Sequence, residues 1–106
     1  MVFYFTATGN CLYAAKHFSD TPVSIPRVMR GTERKFSDDA IGVVCPVYAG
    51  EPPRMVKQFL RESSFQADYF YFILSYGFDA TDAPEYTARL AAEAGIRVDY
   101  IAAILM

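Results

Sequence analysis

The run Ile41-Gly42-Val43-Val44-Cys45-Pro46-Val47-Tyr48 is the tightest constraint on what this chain can become. It carries almost no polar side chain over the length of a strand, so neither face of that strand can look at water. Strands of this kind belong to parallel sheets covered by helices on both sides. Val2–Phe5 and Tyr69–Ser75 are apolar in the same unbroken way and read as further strands. Between them the period turns helical. Cys11, Ala14, Ala15 and Phe18 follow i, i+3, i+4, i+7, which predicts a helix from about Asn10 to Phe18. Met55, Val56, Phe59 and Leu60 mark a helix from about Pro53 to Glu62 that opens on proline. Another starts at Asp82 or Ala83, ahead of Pro84, and runs to about Ala94 before Gly95. Val23-Ser24-Ile25 reads as a short edge strand stopped by Pro26, and Val98–Met106 as the last strand. Arg27 to Asp39 reads as a solvated connection with a helical turn, despite Arg27, Arg30, Arg34 and Lys35. Strand and helix alternate throughout, which demands parallel strands and right-handed crossovers. The fold class is α/β: a three-layer, doubly wound parallel sheet.

Composition narrows the function classes. A chain of 106 residues is one domain, residues 1–106, and at 53% hydrophobic it can bury a core. A formal net charge of -2 gives nucleic acid no reason to bind. Cys11 and Cys45 are too few and too far apart for a metal or disulfide framework. Neither begins a Cys-x-x-x-x-x-Arg loop, which excludes that phosphatase chemistry. The chain opens directly on a strand, and no apolar run nears the roughly 20 residues of a membrane span. A cytoplasmic protein with no membrane partner is therefore expected.

The chemistry sits at the first strand-to-helix junction, Thr6-Ala7-Thr8-Gly9-Asn10-Cys11. A loop that enters a helix points several backbone N–H groups at one spot, and the positive end of the helix dipole reinforces them. Thr6 and Thr8 add hydroxyl donors, Gly9 lets the backbone approach closely, and Asn10 can cap the helix or reach the ligand. The spot suits a phosphate. It contains no Lys or Arg, no Gly-x-x-x-x-Gly-Lys and no Gly-x-Gly-x-x-Gly, so neither a triphosphate loop nor a dinucleotide fingerprint is present. A phosphate here is held by neutral donors alone.

In that respect the loop resembles the Thr/Ser-x-Thr-Gly-x-Ser/Thr phosphate loop of flavodoxin-like proteins, which bind flavin mononucleotide (FMN). Cys11 departs from the pattern by replacing a hydroxyl with a thiol, a weak donor. The longer stretches Phe3–Lys16, Pro46–Pro53 and Ser75-Tyr76-Gly77 resemble the flavodoxin-like domain of bacterial and archaeal flavodoxin–ferredoxin fusion proteins, without their cysteine-rich iron–sulfur module. The resemblance implies the spatial strand order 2-1-3-4-5 and FMN at the switch between strands one and three. It implies phosphate contacts from Thr6, Ala7, Thr8, Gly9, Asn10 and Cys11. Ring contacts are expected from Val47, Tyr48, Ala49 and Gly50 in one loop, and from Ser75, Tyr76, Gly77 and Phe78 in another. Aromatic residues supply faces for a flat ring to stack on, and glycines admit backbone to its polar edge.

Flavodoxin-like domains also close with a helix after the fifth strand, and none follows Val98–Met106 here. The reading is a truncated member with its last helix missing. Its bared sheet face is an expected homodimer interface. The function expected is electron transfer through non-covalent FMN, with a ferredoxin-type redox partner. An FMN-dependent reductase of a small acceptor such as a quinone is one alternative. A non-catalytic interaction domain with a decayed flavin site is the other. No residue qualifies as an acid–base catalyst, and His17, the only histidine, reads as a partner for the carbonyls of its helix's last turn.

Overall fold

The computed structural model describes residues 1–6, 10–48, 50–76 and 82–105, with Asn10 and Leu105 as backbone only. Val2–Tyr4 (β1), Val23–Ser24 (β2), Lys35–Pro46 (β3), Ser64–Tyr76 (β4) and Tyr100–Leu105 (β5) form one sheet in the order β2-β1-β3-β4-β5. Every neighbouring pair is parallel, as the continuous apolar runs require. The intervening helices are Asn10–Phe18 (α1), Ile25–Arg30 (α2), Arg54–Glu62 (α3) and Ala83–Glu93 (α4). None of them is long and apolar enough to cross a membrane.

Pleating divides the strands between two cores. Phe3, Ile41, Val43, Cys45, Val47, Phe70, Phe72 and Leu74 point to one side, where Ile25 of α2, Val56, Phe59 and Leu60 of α3, and Leu90 and Ala91 of α4 cover them. Val2, Val44 and Ile73 point to the other side and meet Cys11, Ala14 and Ala15 of α1. Small residues on α1 let its backbone lie close to the sheet.

The stretch from Arg27 to Asp39 is more structured than its polarity suggests. Ile25 starts a helix rather than ending a strand, because the Ser24 hydroxyl accepts the Arg27 N–H at 3.4 Å. Pro26 then falls in the first turn, where no N–H is needed. Arg34 is not a solvated cation: its guanidinium donates to the carbonyls of Val28, Gly31 and Glu33 at 3.0, 3.1 and 2.9 Å, closing the end of α2. β3 begins at Lys35, well before the apolar run, and β4 at Ser64, with Lys35 through Asp38 paired to Ser64 through Ala67. Ser37, Asp38 and Asp39 hide that extension in the sequence. Phe36 and Phe65 anchor it by stacking into Phe3 and Phe59, at ring separations of 4.8 Å for Phe3–Phe36 and 5.4 Å for Phe59–Phe65. The last strand starts later than expected, at Tyr100, because Asp99 spends both its N–H and its carboxylate on Phe70. Its expected end at Met106 lies outside the described residues.

On the α1 side a described helix covers only part of the sheet. Tyr69 and Tyr100 stand 44% and 53% exposed on the uncovered part. Tyr71 is half-buried between Tyr69 and Phe18, with ring centroids 5.9 and 5.8 Å away. Its ring lies across Gly42 of the neighbouring strand, where an added Cβ would sit 2.2 Å from the Tyr71 Cζ. Gly42 is thus the floor on which Tyr71 rests. Gly42→Ala is expected to destabilise the fold by about 1–3 kcal/mol through overpacking. In Tyr71→Ala the same change should cost little, and urea unfolding of the four proteins in that cycle measures the difference.

Candidate functional site

In a parallel sheet every strand ends on the same edge, and the register here shows which ends adjoin. Tyr4 pairs with Val44, Pro46 with Ser75, and the chain just beyond stays in step. The Phe5 N–H reaches the Val44 carbonyl at 3.0 Å, and the Val47 N–H reaches the Ser75 carbonyl at 2.9 Å. The order reverses between β1 and β3, so the crevice of this doubly wound sheet opens above those two strands. α1 enters it at Asn10 with no acidic residue in its first turn, leaving the positive end of its dipole unopposed from within the helix.

Cys11, in that first turn, is 2% exposed and lies 3.2 Å from the Ser75 Oγ at the end of β4, with either group able to donate. Two expected site residues, one at the start of α1 and one at the end of β4, therefore meet. Burial pushes the Cys11 thiol above its ordinary pKa, and the Ser75 hydrogen bond draws it partly back. Near neutral pH the thiol is uncharged, so it sets no negative charge against an anion above it.

The other expected residues take different stations. Val47 is buried in the α3–α4 core, while Thr6 and Tyr76 are half-buried at the ends of their strands. Tyr48 is 53% exposed. Ala7, Thr8, Gly9, Ala49, Gly77 and Phe78, and the side chain of Asn10, lie outside the described residues. His17 sits at the opposite end of α1, exposed, with the Tyr13 ring edge-on at 4.9 Å.

Tyr48 is held by a tight turn. Its N–H donates to the Glu51 carbonyl at 2.8 Å, and the Glu51 N–H donates back to the Tyr48 carbonyl at 3.1 Å. Gly50 takes φ = 82°, a value glycine adopts without the Cβ penalty. The Glu51 carboxylate pairs with the Lys57 ammonium on the second turn of α3. That ammonium lies 5.2 Å from the centre of the Tyr86 ring on α4. Sequence reasoning missed this cluster: Glu51, Lys57 and Tyr86 share no helical spacing, and only the turn brings them together.

Strand order, crossovers and the crevice at the carboxyl ends define a flavodoxin-like α/β fold. Solved structures of that kind resemble this chain at low sequence identity. The metal-soaked Flv1 flavodiiron core from Synechocystis sp. PCC6803 superposes with a TM-score of 0.65 at 14% identity, over 99% of this chain and 30% of that one. The chain thus spans under a third of the Flv1 core. A flavoprotein in complex with FMN from Lactobacillus acidophilus NCFM gives 0.64 at 12% identity, over 96% of this chain and 90% of that one. A flavodoxin from the domain Archaea gives 0.57 at 14%, over 98% and 82%. No protein-family model matches the sequence, and no curated protein matches it.

Lys57 holds the Glu51 carboxyl below its usual range, and Glu51 holds Lys57 above its own. A depressed carboxylate adds stability above its unfolded pKa and loses it as pH falls through the folded value. A raised ammonium adds stability below its unfolded pKa and loses it as pH rises through the folded value. The stability difference between wild type and Lys57→Met should therefore be level from roughly pH 5 to pH 10 and shrink outside that window. Urea unfolding of the two proteins at pH 3, 7 and 9 measures it.

Proposed function

We propose that this chain binds FMN non-covalently and passes electrons through it. One observation carries the reading: the start of α1 reaches the end of β4 through Cys11 and Ser75, on the sheet edge where the Tyr48–Glu51 turn follows β3. Similarity in fold to a flavoprotein in complex with FMN supports it. So does the fit of the residues present. An acid-free helix start above a neutral buried thiol suits a dianionic phosphate, and Tyr48 offers an exposed aromatic face at the same edge.

When bound, FMN supplies the uptake and release of one or two electrons. The chain's part is to hold and to shield. Backbone N–H groups at the start of α1, with the hydroxyls of Thr6 and Thr8, would take the phosphate. Tyr48, Tyr76 and Phe78 would pack against the ring, and Gly50 and Gly77 would leave room for backbone at its polar edge. Cys11 and Ser75, already in contact, would hold the start of α1 to the end of β4 beside it. The likeness of Pro46–Pro53 and Ser75–Gly77 to flavodoxin–ferredoxin fusion proteins supports a ferredoxin-type protein as the redox partner, and a carrier rather than a reductase with its own substrate.

Titration with FMN and with riboflavin, followed by flavin fluorescence, tests the reading. FMN fluorescence should be quenched. Riboflavin, lacking the phosphate, should bind at least about tenfold more weakly, as expected when hydrogen bonds to a charged group worth roughly 1.5–3 kcal/mol are lost. Equal affinity for the two would remove the phosphate cradle from the account. No quenching by either would remove the flavin.

A further inference from the structure

The Glu51–Lys57–Tyr86 cluster joins parts of the molecule that no hydrogen bond of the sheet joins. Glu51 belongs to the loop that leaves β3 and carries Tyr48. Lys57 lies on α3, the helix into which that loop runs. Tyr86 is the fourth residue of α4, the helix entered from the loop that leaves β4 after Tyr76. One ammonium therefore links the loop after β3 to α4, through an ion pair on one side and a ring face on the other. Lys57 and Tyr86 are both half-buried, which favours the ring contact, while the Glu51 side chain stands 44% exposed, so water screens the ion pair from that side. The turn itself is short. Its two backbone hydrogen bonds close a four-residue loop, so the position of the Glu51 carboxylate dictates where Tyr48 stands.

We propose that Glu51, Lys57 and Tyr86 are positioning residues that hold the Tyr48–Glu51 turn against α3 and α4, and so set where Tyr48 stands beside the flat ring. The proposal rests on the FMN reading above and adds the device that seats its Tyr48 turn. Among the described residues the sheet pairing of this segment ends at Val47, so the cluster is what ties the Tyr48 turn to the helices.

Three substitutions test it in the full chain. Lys57→Met keeps the aliphatic stem and removes the charge, Glu51→Gln keeps the shape, and Tyr86→Leu removes the ring from the other helix should either of the first two fail to fold. Lys57→Arg restores the charge. Amide hydrogen exchange is read at Tyr48 and Glu51 without flavin, and the visible band and dissociation constant of FMN are read with it. Lys57→Met and Glu51→Gln should each speed exchange at those amides by about tenfold or more, the mark of local opening. Each should also shift the bound flavin's band and weaken FMN by about tenfold, with the double variant no worse than either single one. Lys57→Arg should behave as wild type. Exchange at the wild-type rate, or faster exchange with an unchanged flavin band and affinity, overturns the positioning role. Absence of FMN binding by the wild type overturns the flavin reading instead, so the two failures are told apart by the first titration.

Discussion

The pairing of β3 with β4 is the constraint on which the rest of the molecule depends. The two strands run side by side from Lys35–Ser64 to Pro46–Ser75, the longest ladder in the sheet. Their central residues are buried on both faces, so the backbone N–H and C=O groups there have no water to turn to and must satisfy each other. That requirement places the ends of the two strands level. It also seats α3 and α4 on one face, through Phe59, Leu60, Leu90 and Ala91, and leaves the other face to α1. A crevice at the carboxyl ends follows from the topology alone.

Much of this was legible in the residues because burial on two faces leaves a plain mark. The Ile41–Tyr48 run announced a central parallel strand, and the spacing of Cys11, Ala14, Ala15 and Phe18 announced α1 with its observed limits. What stayed hidden was structure held by a few residues amid polar neighbours. Phe36 and Phe65 extend the central ladder downward, yet each stands beside charged or hydroxyl-bearing residues that read as solvent-facing. Pro26 looked like a stop and serves as a start, since proline at a helix's first turn and proline after a strand carry the same letter. The 2-1-3-4-5 order came from resemblance; alternation of strand and helix restricts the topology without selecting one.

The candidate site divides along similar lines. The loops after β1, β3 and β4 could be picked out because strand ends in a parallel sheet share an edge. The pairing of Cys11 with Ser75 across that edge could not, because it depends on α1 lying close enough to the sheet for a thiol to reach a hydroxyl. It changes how the cysteine is understood. A residue read in the sequence as a weakened phosphate donor is also, in the folded chain, a buried link between α1 and β4. The Glu51–Lys57 pair was invisible for a different reason: the contact spans Pro52-Pro53 between the turn and α3, a separation that no helical or strand period marks.

The two cysteines have one more consequence. Cys11 lies in the thin layer beneath α1 and Cys45 in the thick layer beneath α3 and α4, on opposite sides of one sheet, and both thiols are buried. A thiol-modifying reagent reaches either one only when its own layer lifts. The native chain thus carries two built-in reporters, so the rates of labelling at the two sulfurs would tell which half of the sandwich breathes first.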